Sequence, residues 1–314
     1  MEDAAMVVTR ECLGIKKSEE VLIIFDNNTR AVGIALFDSA KSLGADVVLL
    51  EILERETHGS EPPGMVAEAM KAANVILMPT TQSLTHTRAR LEATKRGARI
   101  ASMPTITAEV MRRTMSADYM NIKEQSQKLA ELLSSGSEVT LTTKIGSKLT
   151  FSIVGRKAHA DTGDIRERGG FGNLPAGEAY IAPVEGETSG VAIIDGSIAG
   201  FGLVNTPVEM VIQDGYVTEI RGGSESESLS GLLKNKGLAT RNIAELGIGT
   251  NKKAILSGSI IEDEKVMGTA HIAIGDNHTF GGVVEAPLHI DGVIRKPTLA
   301  IDGKIVIKDG EHLI

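Results

Sequence analysis

The chain has 314 residues, 42% hydrophobic and 24% charged, a balance that fits a folded protein with enough core for two domains. A formal net charge of −8, with six Phe, three Tyr and no Trp, leaves neither a broad basic surface nor a stacking platform, so no nucleic-acid partner is expected. A single cysteine, Cys12, rules out an intramolecular disulfide, and the start Met1-Glu2-Asp3 lacks the basic region of a secretory signal. No apolar run approaches the roughly 20 residues of a membrane span, so a cytoplasmic protein without a membrane partner is expected.

After an initial helix to about Lys17, Val21 to Phe25 is a continuous apolar run of the kind buried on both faces of a parallel sheet. A helix ending at Gly44 follows, then a strand over Val47 to Leu50, a helix around Val66 to Ala73 and a strand over Val75 to Met78. Another helix runs to about Arg96, and Gly97 leads into a fourth strand near Arg99 to Pro104. No G-x-G-x-x-G or G-x-x-x-x-G-K-[ST] stands at a strand-helix junction, so the sheet carries no nucleotide fingerprint. A helix from about Asn121 ends at Ser134-Ser135-Gly136, which sets the expected domain boundary: residues 1–136 form an α/β, Rossmann-like domain with an open parallel sheet.

From residue 137 to 314 the texture changes to short β-branched runs broken by glycine, as in a mostly antiparallel, β-rich domain. Asp-Gly pairs at residues 195, 214, 291, 302 and 309 read as hairpin turns. Ser224 to Ser228, in the order Ser-Glu-Ser-Glu-Ser, reads as a solvated loop ahead of a helix near Leu233. Two of the seven histidines, His271 and His289, fall in apolar segments with strand-type alternation. Asp291 lies two residues beyond His289, on the same face if the segment is a strand. Taken alone, a turn explains Asp291 better. Glu178, behind the glycine-rich stretch Gly169 to Gly177, and Glu245, in Ala244-Glu245-Leu246-Gly247, are acids embedded among apolar and glycine neighbours. Each could equally be a capping or loop acid, but a buried carboxylate needs a cation. With His271, His289 and Asp291 they make five oxygen and nitrogen donors, a set suited to two divalent ions bridged by a carboxylate and a water.

The segments Asn173-Leu174-Pro175-Ala176-Gly177-Glu178, Ala244-Glu245-Leu246-Gly247-Ile248-Gly249, Asp263-Glu264-Lys265, Gly268-Thr269-Ala270-His271 and His289-Ile290-Asp291 resemble, in order, the motifs of the aminopeptidase T and aminopeptidase S family of metallo-aminopeptidases. That resemblance implies a homodimeric hydrolase with two divalent ions (zinc, cobalt or magnesium) held by Glu178, Glu245, His271, His289 and Asp291. Glu245 would bridge the ions and serve in catalysis, and a peptide or small amide would be cleaved at its N-terminal residue. One departure stands out: where the peptidases carry a tyrosine seven residues after the first ligand histidine, this chain has His278, a candidate catalytic group or ligand with a different proton affinity. Two rival readings remain. His271, His289 and Asp291 alone form the 2-His-1-carboxylate set of mononuclear non-haem iron dioxygenases, which occur among the ring-cleaving members of the same superfamily. The ions could also serve only to hold loops together in a metal-stabilised binding protein without enzymatic activity. Glu264 and Lys265 are candidates for orienting the ligands.

Overall fold

A computed structural model describes residues 1–314. The chain forms two compact units, residues 1–120 with 161–176 and residues 121–160 with 177–314. No helix is long and apolar enough to cross a membrane.

The first unit is the expected α/β element. Its sheet has five parallel strands in the order Asp46–Glu51, Glu20–Phe25, Val75–Met78, Arg99–Ser102 and Phe171–Asn173. Val75–Met78, an unbroken apolar run, is buried at every position, and so is Arg99–Ser102, whose Arg99 pairs with Glu19. The helix Arg30–Ser42 follows the first strand, and Arg88–Arg96 ends at Gly97 with φ 101°, a left-handed stop that glycine adopts without strain. The first helix differs from the expectation: residues 2–6 are α-helical and Val7–Cys12 are wound as a π-helix.

The second unit holds two antiparallel sheets. Eight strands form one, including a hairpin of Glu138–Thr142 with Lys148–Ser152. Seven strands form the other, in the order Gly202–Leu203, Ser197–Ile198, His289–Arg295, Thr269–Gly275, Ile243–Gly249, Glu178–Ile181, His159–Asp161. Leu141, Phe151, Ala192, Ile194 and Met210 of the first share one buried cluster with Ile181, Leu246, Ile248, Ile272, Ile274 and Ile294 of the second. Three of the five Asp-Gly pairs, at residues 214, 302 and 309, have positive φ at both positions, as type I′ hairpin turns need. Asp291-Gly292 instead lies inside the strand His289–Arg295, so the turn reading fails where the chemistry depended on it. Ser224–Leu233 is one helix, which corrects the solvated loop expected at Ser224 to Ser228. Glu225 is buried there because it accepts hydrogen bonds from the backbone and side chain of Asn205.

Candidate metal centre

The seven-stranded sheet sorts its residues by parity. Across the central ladder Ala273 faces Asp291, Gly275 faces His289 and His271 faces Val293, and residues opposite one another in an antiparallel pair share a face. On the next two strands Gly247 lies opposite His271 and Tyr180, while Gly249 lies opposite Glu178. Glu178, Tyr180, His271, His289 and Asp291 therefore project from one face. The intervening Ile272, Ile274, Ile290 and Ile294 project from the other into the core.

Glu245 joins that polar face by strand alternation, two residues before Gly247 and opposite Ala273, just past a register fault. Ile243 pairs with Ile274, whereas Glu245 pairs with Ala273, so Ala244 is an extra residue in the ladder. The extra residue leaves Glu245 on the side of Gly247 and His271 while turning Ile243 to the core side, where it joins Leu246 and Ile248. Small residues then keep the face open. A Cβ on Gly247 would lie 2.0 Å from His271 Nε2, so only glycine lets the imidazole lie flat over that strand.

The five expected residues meet. His271 Nε2 is 3.3 Å from Glu245 Oε1 and 3.4 Å from Glu178 Oε2; His289 Nε2 is 3.5 Å from Glu245 Oε2 and 3.3 Å from Asp291 Oδ1. His289 Nδ1 donates to the Asp276 carbonyl at 2.8 Å, which fixes the tautomer that turns Nε2 inward. Glu264 and Lys265 also belong here. The Lys265 ammonium, with its side chain 1% exposed, lies 2.6 Å from Glu178 Oε1 and 2.7 Å from Glu264 Oε1. Donor atoms form two trios, Glu178 with Glu264 and His271, and Glu245 with His289 and Asp291, each within 4.8 Å. His278 lies outside both trios; its Nδ1 is hydrogen-bonded to Asp276 Oδ2 at 2.8 Å, and its side chain is 49% exposed.

Four carboxylates converge with one lysine, and their proton affinities record the imbalance. Burial pushes Glu178 up to about 8 despite Lys265, and burial likewise raises Glu264. Burial opposes charge on the histidines, yet Glu245, Glu178 and Asp291 together raise His271 to about 9, and Asp291 and Glu245 raise His289 to about 10. Asp291 falls to about 2 because His289 and His271 outweigh its burial. Both imidazoles thus hold protons where the surrounding acids call for a cation. Glu178 Oε2 is buried with no hydrogen-bond partner, an atom that a bound ion would satisfy. Imidazole and carboxylate donors in this number fit a divalent first-row metal.

One group escaped the sequence reading. His159 stacks on Tyr180 at 5.3 Å; Tyr180 meets Phe280 edge-on at 5.7 Å, and Phe280 meets His289 edge-on at 5.8 Å. The available signal was Tyr180 itself, two residues beyond Glu178 on the same strand face.

A family model described as NicX, 2,5-dihydroxypyridine 5,6-dioxygenase, matches residues 5–313. The 2,5-dihydroxypyridine 5,6-dioxygenase of Pseudomonas putida KT2440 is 23% identical over 256 residues, 77% of this chain and 72% of that protein. The solved structure of the Pseudomonas putida KT2440 2,5-dihydroxypyridine dioxygenase matches with a TM-score of 0.85 at 19% identity, covering 99% of this chain and 96% of its own. Wild-type AmpT of Thermus thermophilus matches with a TM-score of 0.77 at 17% identity, covering 100% and 98%. At such identities the two structures carry the fold alone, and that fold is shared with the aminopeptidase. The full-length family match overturns the aminopeptidase expectation, and with it the assignment as a hydrolase and the peptide or amide substrate. The misreading has a physical origin: one sheet face bearing imidazoles and carboxylates can hold a divalent ion for hydrolysis or for oxygen chemistry, so the ligand motifs do not separate the two.

Proposed function

We propose, from the premise that this chain belongs to the 2,5-dihydroxypyridine 5,6-dioxygenase family, that it is a non-haem ferrous dioxygenase opening a dihydroxylated, nitrogen-containing aromatic ring. The observation that carries this reading is the placement of His271, His289 and Asp291 on one face of two adjacent strands, with His289 beside Asp291 and both imidazoles against the same carboxylate, Glu245. A single ferrous ion held there would supply the unpaired electrons that let a closed-shell ring react with dioxygen. Lys265 already neutralises oxygens of both Glu178 and Glu264, which favours one ion over the two expected from the peptidase resemblance.

The chain's own residues divide the remaining work. Asp276 keeps His289 oriented through its carbonyl, and Gly247 leaves room for His271. Glu245, with one oxygen toward each histidine, holds both imidazoles in place on the polar face. To His278, half-exposed and bonded to Asp276, we assign the transfer of a hydroxyl proton from the substrate to solvent. The test is oxygen uptake by the iron-loaded protein with 2,5-dihydroxypyridine under oxygen-18. The expected result is equimolar uptake, loss of the aromatic absorbance and entry of both labelled atoms into the product. Uptake no faster than that of the iron-free protein, on this and related hydroxylated pyridines and benzenes, would refute the proposal.

A further inference from the structure

The candidate ligands differ sharply in exposure. Side-chain exposure is 1% for His271, 8% for Glu178, 9% for Glu245 and 12% for Asp291, but 31% for His289. A substrate must therefore arrive on the His289 side, and the ring beside His289 there is Phe280.

Phe280 is held on a loop tied down at several points. Asn277 Nδ2 and the Val283 amide donate to Glu185 Oε1 at 3.0 and 2.8 Å, and the Val284 amide donates to Asn277 Oδ1 at 2.9 Å. Arg156 pairs with Glu185 and donates to the Gly281 carbonyl. Behind Phe280, Tyr180 supports the ring edge-on and has one of its own faces covered by His159, whose Nε2 lies 3.2 Å from the Phe280 carbonyl. A loop bound in this way is a fixed wall, and Tyr180 and His289 flank the ring it carries.

We propose that Phe280 is a specificity-determining residue, an aromatic platform against which the planar ring of the substrate lies as its hydroxyl oxygens turn toward His289 and Asp291. In this arrangement Tyr180, Glu185 and Arg156 act as positioning residues that hold the platform. An aromatic wall suits a flat ring because ring against ring adds attraction beyond simple area burial, which a flexible aliphatic substrate would forgo. The inference rests on the proposed ring-opening function.

The experiment is an anaerobic binding titration of 2,5-dihydroxypyridine into the iron-loaded full-length protein, for the wild type, Phe280→Leu and Phe280→Tyr. Iron content and the melting transition are read alongside. Phe280→Leu should weaken binding by roughly five- to tenfold with iron content unchanged, while Phe280→Tyr, which keeps the ring, should bind within about twofold of the wild type. Steady-state kinetics should place the loss in KM rather than kcat. Should Phe280→Leu fail to fold, Phe280→Met, of similar apolar volume, carries the same expectation. Wild-type affinity in the leucine or methionine variant, or equal losses in the tyrosine variant, would overturn the platform while leaving the ring-opening function intact. If the wild type binds no hydroxylated pyridine at all, the function and the platform fall together.

Discussion

Gly247→Ala is a small change with a large expected effect on the metal centre. The new methyl would lie 2.0 Å from His271 Nε2, 2.2 Å from Cε1 and 2.8 Å from Cδ2. Ordinary contact begins near 3.4 Å, so the imidazole must retreat by about 1.4 Å. His271 is 1% exposed, and its neighbours Ala270, Ile272 and Ala273 are buried as well, so the retreat strains packed surroundings. It also draws Nε2 away from Glu245 Oε1 and Glu178 Oε2, the two oxygens that mark its position in the site. Overpacking of this kind costs about 1–3 kcal/mol in the metal-free protein. Loss of ligand orientation lowers metal affinity by about 10–100-fold, and a displacement of about 1 Å lowers turnover by about a hundredfold. Ferrous affinity from chelator competition, together with melting of the metal-free and loaded forms, measures both parts. Gly231→Ala is the control: no atom lies within 4 Å of its methyl, it stands within the helix Ser224–Leu233, and it should leave metal affinity unchanged. Unaltered ferrous affinity in Gly247→Ala would refute the reasoning, because it would mean that His271 Nε2 does not serve the ion.

Other consequences of the geometry are open to direct measurement. Lys265→Met strands Glu178 and Glu264 in a buried setting, and chemical denaturation should show a loss of about 3–5 kcal/mol, with Lys265→Arg losing less. In the metal-free protein His271 and His289 are held at about 9 and 10 against an ordinary 6.5, so folded values exceed unfolded ones. Their stabilisation is complete below pH 6.5 and disappears as pH rises through 9 to 10, and the metal-free form should melt at a lower temperature at pH 10 than at pH 6. For the same reason metal uptake at pH 7.5 should release about two protons per ion, seen as a buffer-dependent heat in calorimetry; no release would contradict the charged imidazoles.

Much of this organisation is legible in the residues themselves. Unbroken apolar runs at Val21 to Phe25 and Val75 to Met78 give buried parallel strands, and Asp-Gly pairs at 214, 302 and 309 give tight hairpins, because both are local consequences of burial and backbone freedom. His289 and Asp291 share a face for the same reason, since strand parity acts over two residues. Local pattern was insufficient where one motif admits two settings. Asp291-Gly292 has the composition of a turn and became a strand interior because His271 and its neighbours pair with it across seven positions. Ser224 to Ser228 has the composition of a loop and became helix once Asn205 supplied partners for Glu225.

By itself the sequence determined the two kinds of sheet, the polar face of the second and the donor types offered to a metal, all of which follow from short-range periodicity and side-chain chemistry. Only the tertiary structure decided that Glu245 meets both histidines, that Lys265 neutralises Glu178 and Glu264, and that Phe280 borders the one accessible ligand. Those arrangements depend on residues far apart in the chain meeting in three dimensions, and no local pattern encodes which of them will meet. The class of reaction lay beyond both, because imidazole and carboxylate donors suit hydrolysis and oxygen chemistry alike, and it was the family match over residues 5–313 that separated them.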